Sequence, residues 1–527
     1  MENNRSTNQL FKGAIILTFV GLFSKILSAG YRIPLQNITG DLGFYIYQQI
    51  YPFLGIALML SLYGFPSAIS KLVSEQREEG NEPSLRSFYL PISVLLLSVN
   101  VILYIGLSEN SYKIAVWMGD VNLANPIQLA AVPFLLIPFT SIIRGVFQGY
   151  ENMAPTAISQ VVEQLIRVAF IIFTAVAVMK HGQDYYQIGS GAALASVLGA
   201  SAALVVLLFL WYKKVPKGNK RYSYSWLYYF RVVILYGVFI SVNHMLLLLL
   251  QFTDAFTLVP NLANYGFNLD EAKLWKGVLD RGQPLIQLGT VLGSSLALAL
   301  IPTVTKKRMD RHPDVFHSHI QSALKISLYI SAGATIGLLF IFPYVNNLLF
   351  QDSLGNGSLR LLSCSILFTS LSITTATILQ GLGYMYHTAL YVFMGLACKW
   401  LLNSLLIPVY GLMGSALSTV ISVVIVLVLN IISLKRILSI NKLFQISWRT
   451  LLLAILSMSL FLWMVNLFVY EAVPIHSRID QLLFVLGIIM LGAGIYLFVL
   501  IRQKGFEIEE LQALPLGEWL VAIRRRN

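Results

Sequence analysis

Lys213-Lys214-Val215-Pro216-Lys217-Gly218-Asn219-Lys220-Arg221 is the stretch on which the reading of this chain turns. Five of its nine residues are basic and none is acidic, and Tyr222, Tyr224, Trp226, Tyr228 and Tyr229 follow at once. A knot of positive charge leading into aromatic side chains marks a membrane face just before a chain re-enters lipid. Long apolar segments lie on both sides, so the stretch reads as a cytoplasmic linker between two sets of spanning helices.

The totals support a lipid solvent. The chain has 527 residues, 57% hydrophobic and 12% charged, with a mean hydropathy of +0.72, whereas soluble domains carry roughly 25% charged residues. The net charge of +13 is divided among short loops between apolar spans, so it argues for anionic membrane lipids as partners and against nucleic acid. Cys364 and Cys398 both fall inside apolar segments, which leaves neither a disulfide framework nor a metal-binding set. The first apolar stretch lacks a small-x-small cleavage site and reads as a retained helix.

At about 20 apolar residues per crossing, the sequence predicts an all-α polytopic protein of fourteen transmembrane helices, the first over 13–31, the second over 43–70 and the seventh over 227–250. These runs are apolar on all sides, which excludes the alternation of a lipid-facing barrel. The charge bias between loops sets the orientation. Lys71, Arg77, Arg86, the basic linker and Lys306, Lys307 and Arg308 fall on one face; Arg32, Lys113, Lys180 and Arg478 fall on the other. Both termini are therefore expected in the cytoplasm. The expected organisation is an N-terminal lobe (1–212), a basic linker (213–226), a C-terminal lobe (227–434), two further helices (435–501) and a cytoplasmic tail (502–527) that reads as either an interfacial or a solvated segment. The longest outer loop is expected at 251–282.

The halves echo each other. Gln148-Gly149 matches Gln380-Gly381, and nineteen residues beyond each pair stand Arg167 and Lys399, both at an offset of 232. Pro66 with Lys71 matches Pro302 with Lys307 at an offset of 236. Six helices per copy is an even number, so the copies are parallel and related by a pseudo-two-fold axis along the membrane normal. Two such lobes imply a V-shaped, alternating-access transporter.

Charges at lipid depth cost at least about 2.5 kcal/mol even on lenient scales and should face protein or water. Arg231, Lys325, Arg360 and Arg449 are near enough to span ends to snorkel. Glu163 and Arg167 stand four residues apart in the favourable order and read equally as a structural pair or as part of a site. Lys25 and Arg32 differ, because about 700° of rotation sets them on nearly one side of the first helix with no acid in the segment. With Arg281, beside Asp280 at the start of the eighth helix, they are the predicted substrate-path cations for an anionic head group, above all a pyrophosphate. Secondary candidates are Arg167, Lys399, Glu163, Asp280 and Asp254. Tyr45, Gln48 and Gln49 read either as an interfacial belt or as groups for a sugar. No nucleotide-binding, protease or hydrolase motif is present, so no cofactor is expected, and the membrane potential or a Na+ or H+ gradient is left as the energy source.

Several stretches carry a family resemblance: Leu10-Phe11-Lys12-Gly13, Phe23-Ser24-Lys25-Ile26-Leu27, Tyr51-Pro52-Phe53, Gly64-Phe65-Pro66-Ser67-Ala68-Ile69-Ser70-Lys71, Arg144-Gly145-Val146-Phe147-Gln148-Gly149 and Ile301-Pro302-Thr303-Val304-Thr305-Lys306. They resemble the polysaccharide-biosynthesis and stage V sporulation protein B-like transporters, related to the lipid II flippases within the multidrug/oligosaccharidyl-lipid/polysaccharide exporter superfamily. The resemblance implies two lobes and export of an undecaprenyl-pyrophosphate-linked saccharide across the bacterial plasma membrane, with cell-wall synthesis proteins as partners. It also implies cations along the first helix and at the start of the eighth, where Lys25, Arg32 and Arg281 stand. The apolar run Ile56 to Leu60 departs from a basic position in the lipid II group, which leaves the cargo's identity open. Two rivals remain: an ion-coupled exporter of cationic amphiphiles, which needs a carboxylate inside a lobe, and a membrane glycosyltransferase or polymerase, which needs catalytic acids in a sizeable outer loop.

Overall fold

The computed structural model describes residues 20–21, 23–214, 225–299, 313–438, 445–469, 477–513 and 517–525. The heart of the basic linker, both chain ends and the Pro302–Lys307 match lie outside the described residues. Every regular element described is helical, as expected where lipid offers no partner for backbone polar groups. Thirteen helical stretches among the described residues are long and apolar enough to cross a membrane.

The first, Phe23–Glu78, is 56 residues long, about 84 Å at the helical rise and far beyond one crossing. It turns at Gly40, whose φ of 64° and ψ of −173° belong to a region that side chains other than glycine rarely enter. Its parts are α1 (23–30), α2 (Arg32–Met59), a π-helical turn Leu60–Gly64, and α3 (Phe65–Glu78). There follow α4 (Leu90–Glu109), α5 (Ser111–Trp117), α6 (Ala124–Ala130), α7 (Ile137–Gly149), α8 (Ala154–His181) and α9 (Tyr186–Lys214). Small residues let these helices close up: Ala192, Ala193 and Ala195 are fully buried, and a side chain at Gly199 would strike the Glu163 carbonyl at 2.7 Å.

Beyond the linker, α10 (Trp226–Tyr229) runs through a π-helical stretch, Phe230–Tyr236, into α11 (Gly237–His244). After a break at Met245 come α12 (Leu246–Tyr265) and α13 (Leu269–Asp280). The outer loop expected at 251–282 is thus corrected to almost continuous helix. Polar side chains broke its hydropathy, but they are satisfied inside the bundle: Asn403 donates to Asp254 at 2.9 Å and to Thr257 at 2.7 Å. The chain continues as α14 (Gly282–Ala299), α15 (Pro313–Phe350), α16 (Asn356–Ser363), α17 (Ser365–Gly381), α18 (Met385–Tyr410), α19 (Leu412–Leu438), α20 (Trp448–Met464), α21 (Arg478–Arg502), α22 (Ile508–Ala513) and α23 (Gly517–Arg525).

Two compact units divide at Asp280, the first taking residues 1–280 and 403–408, the second the remainder. Residues 227–280 pack with the first unit, so the compact units do not part at the basic linker. In the first unit one core joins α3, α4 and α7 to the helix after the linker through Phe65, Phe88, Ile92, Val146 and Tyr229. Gly64 is the tightest crossing there, where a Cβ would lie 1.8 Å from the Ser241 hydroxyl and 2.6 Å from the Gly237 carbonyl.

In the second unit α15, α20 and α21 share a core that also holds Phe506, Leu511 and Val521 of the tail. The tail is therefore not a solvated or purely interfacial end. Its Glu510, 5% exposed, takes the Lys325 ammonium at 2.7 Å, and this replaces the snorkelling expected of Lys325. Arg360 likewise turns to protein, donating to the Leu339 carbonyl at 2.7 Å. Breaking a buried ion pair by removing one partner costs about 3 kcal/mol or more. Glu510→Gln is expected to lower the melting temperature of the purified protein by several degrees, with a smaller loss for Glu507→Gln, whose carboxylate is exposed and 4.0 Å away.

Candidate functional site

The interior of the first unit carries more positive charge than its acids neutralise. Arg32, at the start of α2, is fully buried; among the described residues no carboxylate pairs with it, and none of its three guanidinium nitrogens makes a well-formed hydrogen bond, the Tyr31 hydroxyl standing near. Arginine stays charged at any physiological pH, and an uncompensated buried charge costs several kcal/mol. What surrounds it is aromatic. The guanidinium carbon lies 4.0 Å from the centre of the Tyr51 ring, Tyr47 stacks obliquely on Tyr51 at 5.8 Å, and the Tyr31 and Tyr47 hydroxyls are hydrogen-bonded together. A cation–π contact returns about 2 kcal/mol when desolvated, which leaves the guanidinium short of an anion.

A small cavity opens beside this box, lined by Ser28, Tyr31, Tyr47, Gln164 and Arg167 together with Leu54, Leu58 and Ile171. A second, lined by Ser61, Thr140 and Glu163, shares Arg167 and Ser196 with it. Arg167 thus stands between the two. The Glu163–Arg167 pair is present at 2.6 Å, but the same carboxylate also holds Arg144 at 2.8 Å. Arg144 is fully buried and donates further to Ser159 at 3.1 Å and to the Ser61 carbonyl at 3.2 Å. Two arginines share one glutamate, so the cluster keeps a net positive charge. Arg144 was visible in sequence only within a quoted motif; its place in an apolar span was the available signal.

Lys25 and Arg32 do not share one environment. A turn at Tyr31 separates α1 from α2, and Lys25 is exposed while Arg32 is sealed. The structure brings Arg32 and Arg167 to one aromatic box through Tyr31, which feels the charge of both.

Other candidates are already engaged. Tyr45 donates to Asp120 at 3.1 Å, as does Tyr186 at 2.7 Å, and Lys273 reaches the same carboxylate at 3.4 Å. Burial opposes the Lys273 charge, but Asp120 and the Tyr186 hydroxyl together offset it and hold the ammonium above its ordinary range. Gln49 donates to the Ala255 carbonyl at 3.2 Å. Tyr45 and Gln49 are therefore packed inside the bundle rather than displayed in an interfacial belt or to a sugar, and Gln48 is also buried. Asp254 accepts from Asn403 as described, and Lys399 is fully buried. Asp280 pairs with Lys276 at 2.6 Å. Arg281, in the second unit, forms a two-pronged pair with Asp352 at 2.5 and 2.7 Å. Asp352 lies in a short loop where nothing in the sequence marked it as a partner, and it removes the reason for reading Arg281 as a lone cation.

The pattern of the polysaccharide biosynthesis protein family matches residues 10–307. The chain belongs to that family. It is 39% identical over 523 residues to the uncharacterized membrane protein YabM of Bacillus subtilis (strain 168), covering 98% of this chain and 97% of YabM. It is 26% identical over 462 residues to the lipid II flippase MurJ of the same organism, covering 82% and 83% of the two chains. Among solved structures, a lipid II flippase MurJ in an inward closed conformation superposes with a TM-score of 0.63 at 14% identity, over 94% of this chain and 98% of that one. An inward-facing MATE-family multidrug resistance transporter of the MOP superfamily gives 0.59 at 13% identity, over 80% and 96%. The protein is a multi-pass membrane protein of a transporter superfamily, not of an enzyme family, with the helical fold that MurJ and MATE proteins share.

The pairing pattern predicts opposite outcomes for two arginine contacts. Burial alone would raise the Asp352 carboxyl, but its hydrogen bonds from Arg281 and the Leu354 amide hold it below the usual carboxylate range. A depressed folded-state value adds stability above the unfolded value, about 3.9, and that stability is lost as pH falls through the folded one. Asp352→Asn is expected to lower the melting temperature at pH 7, with the difference from the wild type closing on strong acidification. Arg32→Gln, which removes a charge with no acceptor, is expected to leave the melting temperature unchanged or raise it. Thermal unfolding of both variants in detergent checks the pair.

Proposed function

We propose that this chain is a flippase that moves an undecaprenyl-pyrophosphate-linked saccharide, such as lipid II or a related cell-wall unit, from the inner to the outer leaflet of the bacterial plasma membrane. The observation that carries the proposal is the buried Arg32 guanidinium, which has neither a carboxylate nor a well-formed hydrogen bond among the described residues. Its setting is a first unit whose Glu163 already serves two arginines. A pyrophosphate supplies the oxygens that Arg32 lacks, and pairs of them meet the planar, forked donors of a guanidinium. Kinship to a protein named as a lipid II flippase over most of both chains supports the same cargo class.

In this proposal two parallel six-helix lobes, residues 1–212 and 227–434, alternate access about the path, both termini are cytoplasmic, and 435–501 adds two helices. Lys25 receives the head group, and Arg32 with Arg167 holds it. Arg281 joins the path only when Asp352 releases it. Carrying negative charge from a negative interior to the outside is favoured by about 2.3 kcal/mol per charge per 100 mV, so the membrane potential drives the cargo in the required direction. An exporter of cationic amphiphiles is disfavoured because its candidate carboxylates are occupied, Glu163 by two arginines and Asp254 by Asn403.

Depletion of the protein and its paralogues, followed by leaflet-resolved quantification of undecaprenyl-linked precursors, tests the proposal. Inner-leaflet accumulation is expected, relieved by the wild type and at least tenfold less effectively by Arg32→Gln at equal expression. Unchanged pools would refute it, and the sugars trapped name the cargo.

A further inference from the structure

Two backbone irregularities of the first unit meet: the π-helical turn Leu60–Gly64, which carries Tyr63, and the end of α11 at His244, where the backbone breaks at Met245. π-helical turns inside α-helices recur at functional sites because they re-aim single side chains. Here the Tyr63 and His244 rings stack, with centres 4.8 Å apart and planes within 23°. A Cβ on Gly21, one turn before Lys25, would lie 3.9 Å from the Tyr63 hydroxyl, so that face of α1 is turned to the ring pair. Phe23 and Ile26, on the other sides of α1, are exposed. The Lys25 ammonium acts electrostatically on His244. Both His244 and Lys25 are exposed, and Tyr63 is half-buried.

We propose that His244, stacked on Tyr63 beside Lys25, is a proton-dependent second anchor for the diphosphate of the cargo, its imidazolium forming as the anion arrives. This deepens the flippase reading and rests on it. Lys25 and Arg32 are seven residues apart, about 10 Å along a helix, too far for both to grip one phosphate closely. Lys25 alone offers one charge to a group carrying two. A histidine beside it can supply the second, since imidazole is the side chain whose charge changes near neutral pH. An anion between the two cations favours protonation of the ring, while the Tyr63 face supports the imidazolium by a cation–π contact.

The other charged groups around His244 are committed elsewhere. On α3, Lys71 lies over the Tyr236 ring at 4.8 Å and pairs with Glu75 at 3.9 Å. Beyond Tyr63, whose hydroxyl meets the Gln160 amide, Arg144 is held by Glu163 at 2.8 Å. On the π-helical stretch before α11, Arg231 is exposed. Among the described residues, the Lys25 ammonium is the charge that bears on the ring.

The test uses the purified full-length protein and farnesyl-diphosphoryl-N-acetylglucosamine, a diphosphate diester whose own charge is constant between about pH 5 and 8. Calorimetry of the wild type in buffers of different ionisation enthalpy is expected to show uptake of close to one proton per ligand near pH 7.5. Affinity is expected to be about tenfold tighter at pH 5.5 than at pH 8. His244→Gln should hold the weaker affinity at both values and His244→Lys the tighter. No proton uptake by the wild type, or an undiminished pH dependence in His244→Gln, overturns the inference. Ligand binding that needs Arg32 but takes up no proton sinks this inference alone, whereas no binding by the wild type sinks the flippase reading with it.

Discussion

A guanidinium sealed inside a membrane bundle without an acid is the constraint on which this structure depends. Arg32 is fully buried, and its surroundings are rings rather than carboxylates. A bundle that only had to be stable would do better with an apolar residue there. Folding energy is given up at this position, and in the proposed function an anionic ligand returns it.

The two units treat their buried cations differently. In the second unit the strongest contacts are one-to-one: Arg281 with Asp352, and Lys325 with Glu510 of the tail. In the first unit matching is confined to one end, where Lys273 finds Asp120 and Lys276 finds Asp280. Deeper in, Arg144 and Arg167 divide Glu163, and Arg32 and Lys25 have no carboxylate among the described residues. The surplus lies beside small cavities whose lining includes serine, glutamine and tyrosine. Positive charge among hydroxyls is suited to an anionic group rather than to a cationic drug.

Much of the architecture was legible in the sequence because lipid imposes it residue by residue. Long runs such as 188–212 are apolar on all sides, and only a helix satisfies their backbone. The helical course of 251–280 was hidden because Gln251, Asp254 and Asn261 look like loop residues until Asn403, 149 positions from Asp254, is brought alongside. The docking of the tail was hidden for the same reason: Glu510 reads as a solvated acid until Lys325 is placed against it. In the site, the lone cations of the first helix could be recognised from the lack of any acid in the segment. The sharing of Glu163 by Arg144, nineteen residues earlier, and the capture of Arg281 by Asp352 are tertiary facts that spacing does not encode.

Reconstitution into vesicles tests the central claim most directly. With a fluorescent undecaprenyl-diphosphate-linked disaccharide in one leaflet, wild-type protein should move it to the other, faster with an imposed potential that favours outward movement of the anion. Arg32→Gln protein of equal thermal stability should move it at least tenfold more slowly. Equal rates for the two proteins, or transport of a cationic dye with no movement of the lipid-linked sugar, would contradict the account.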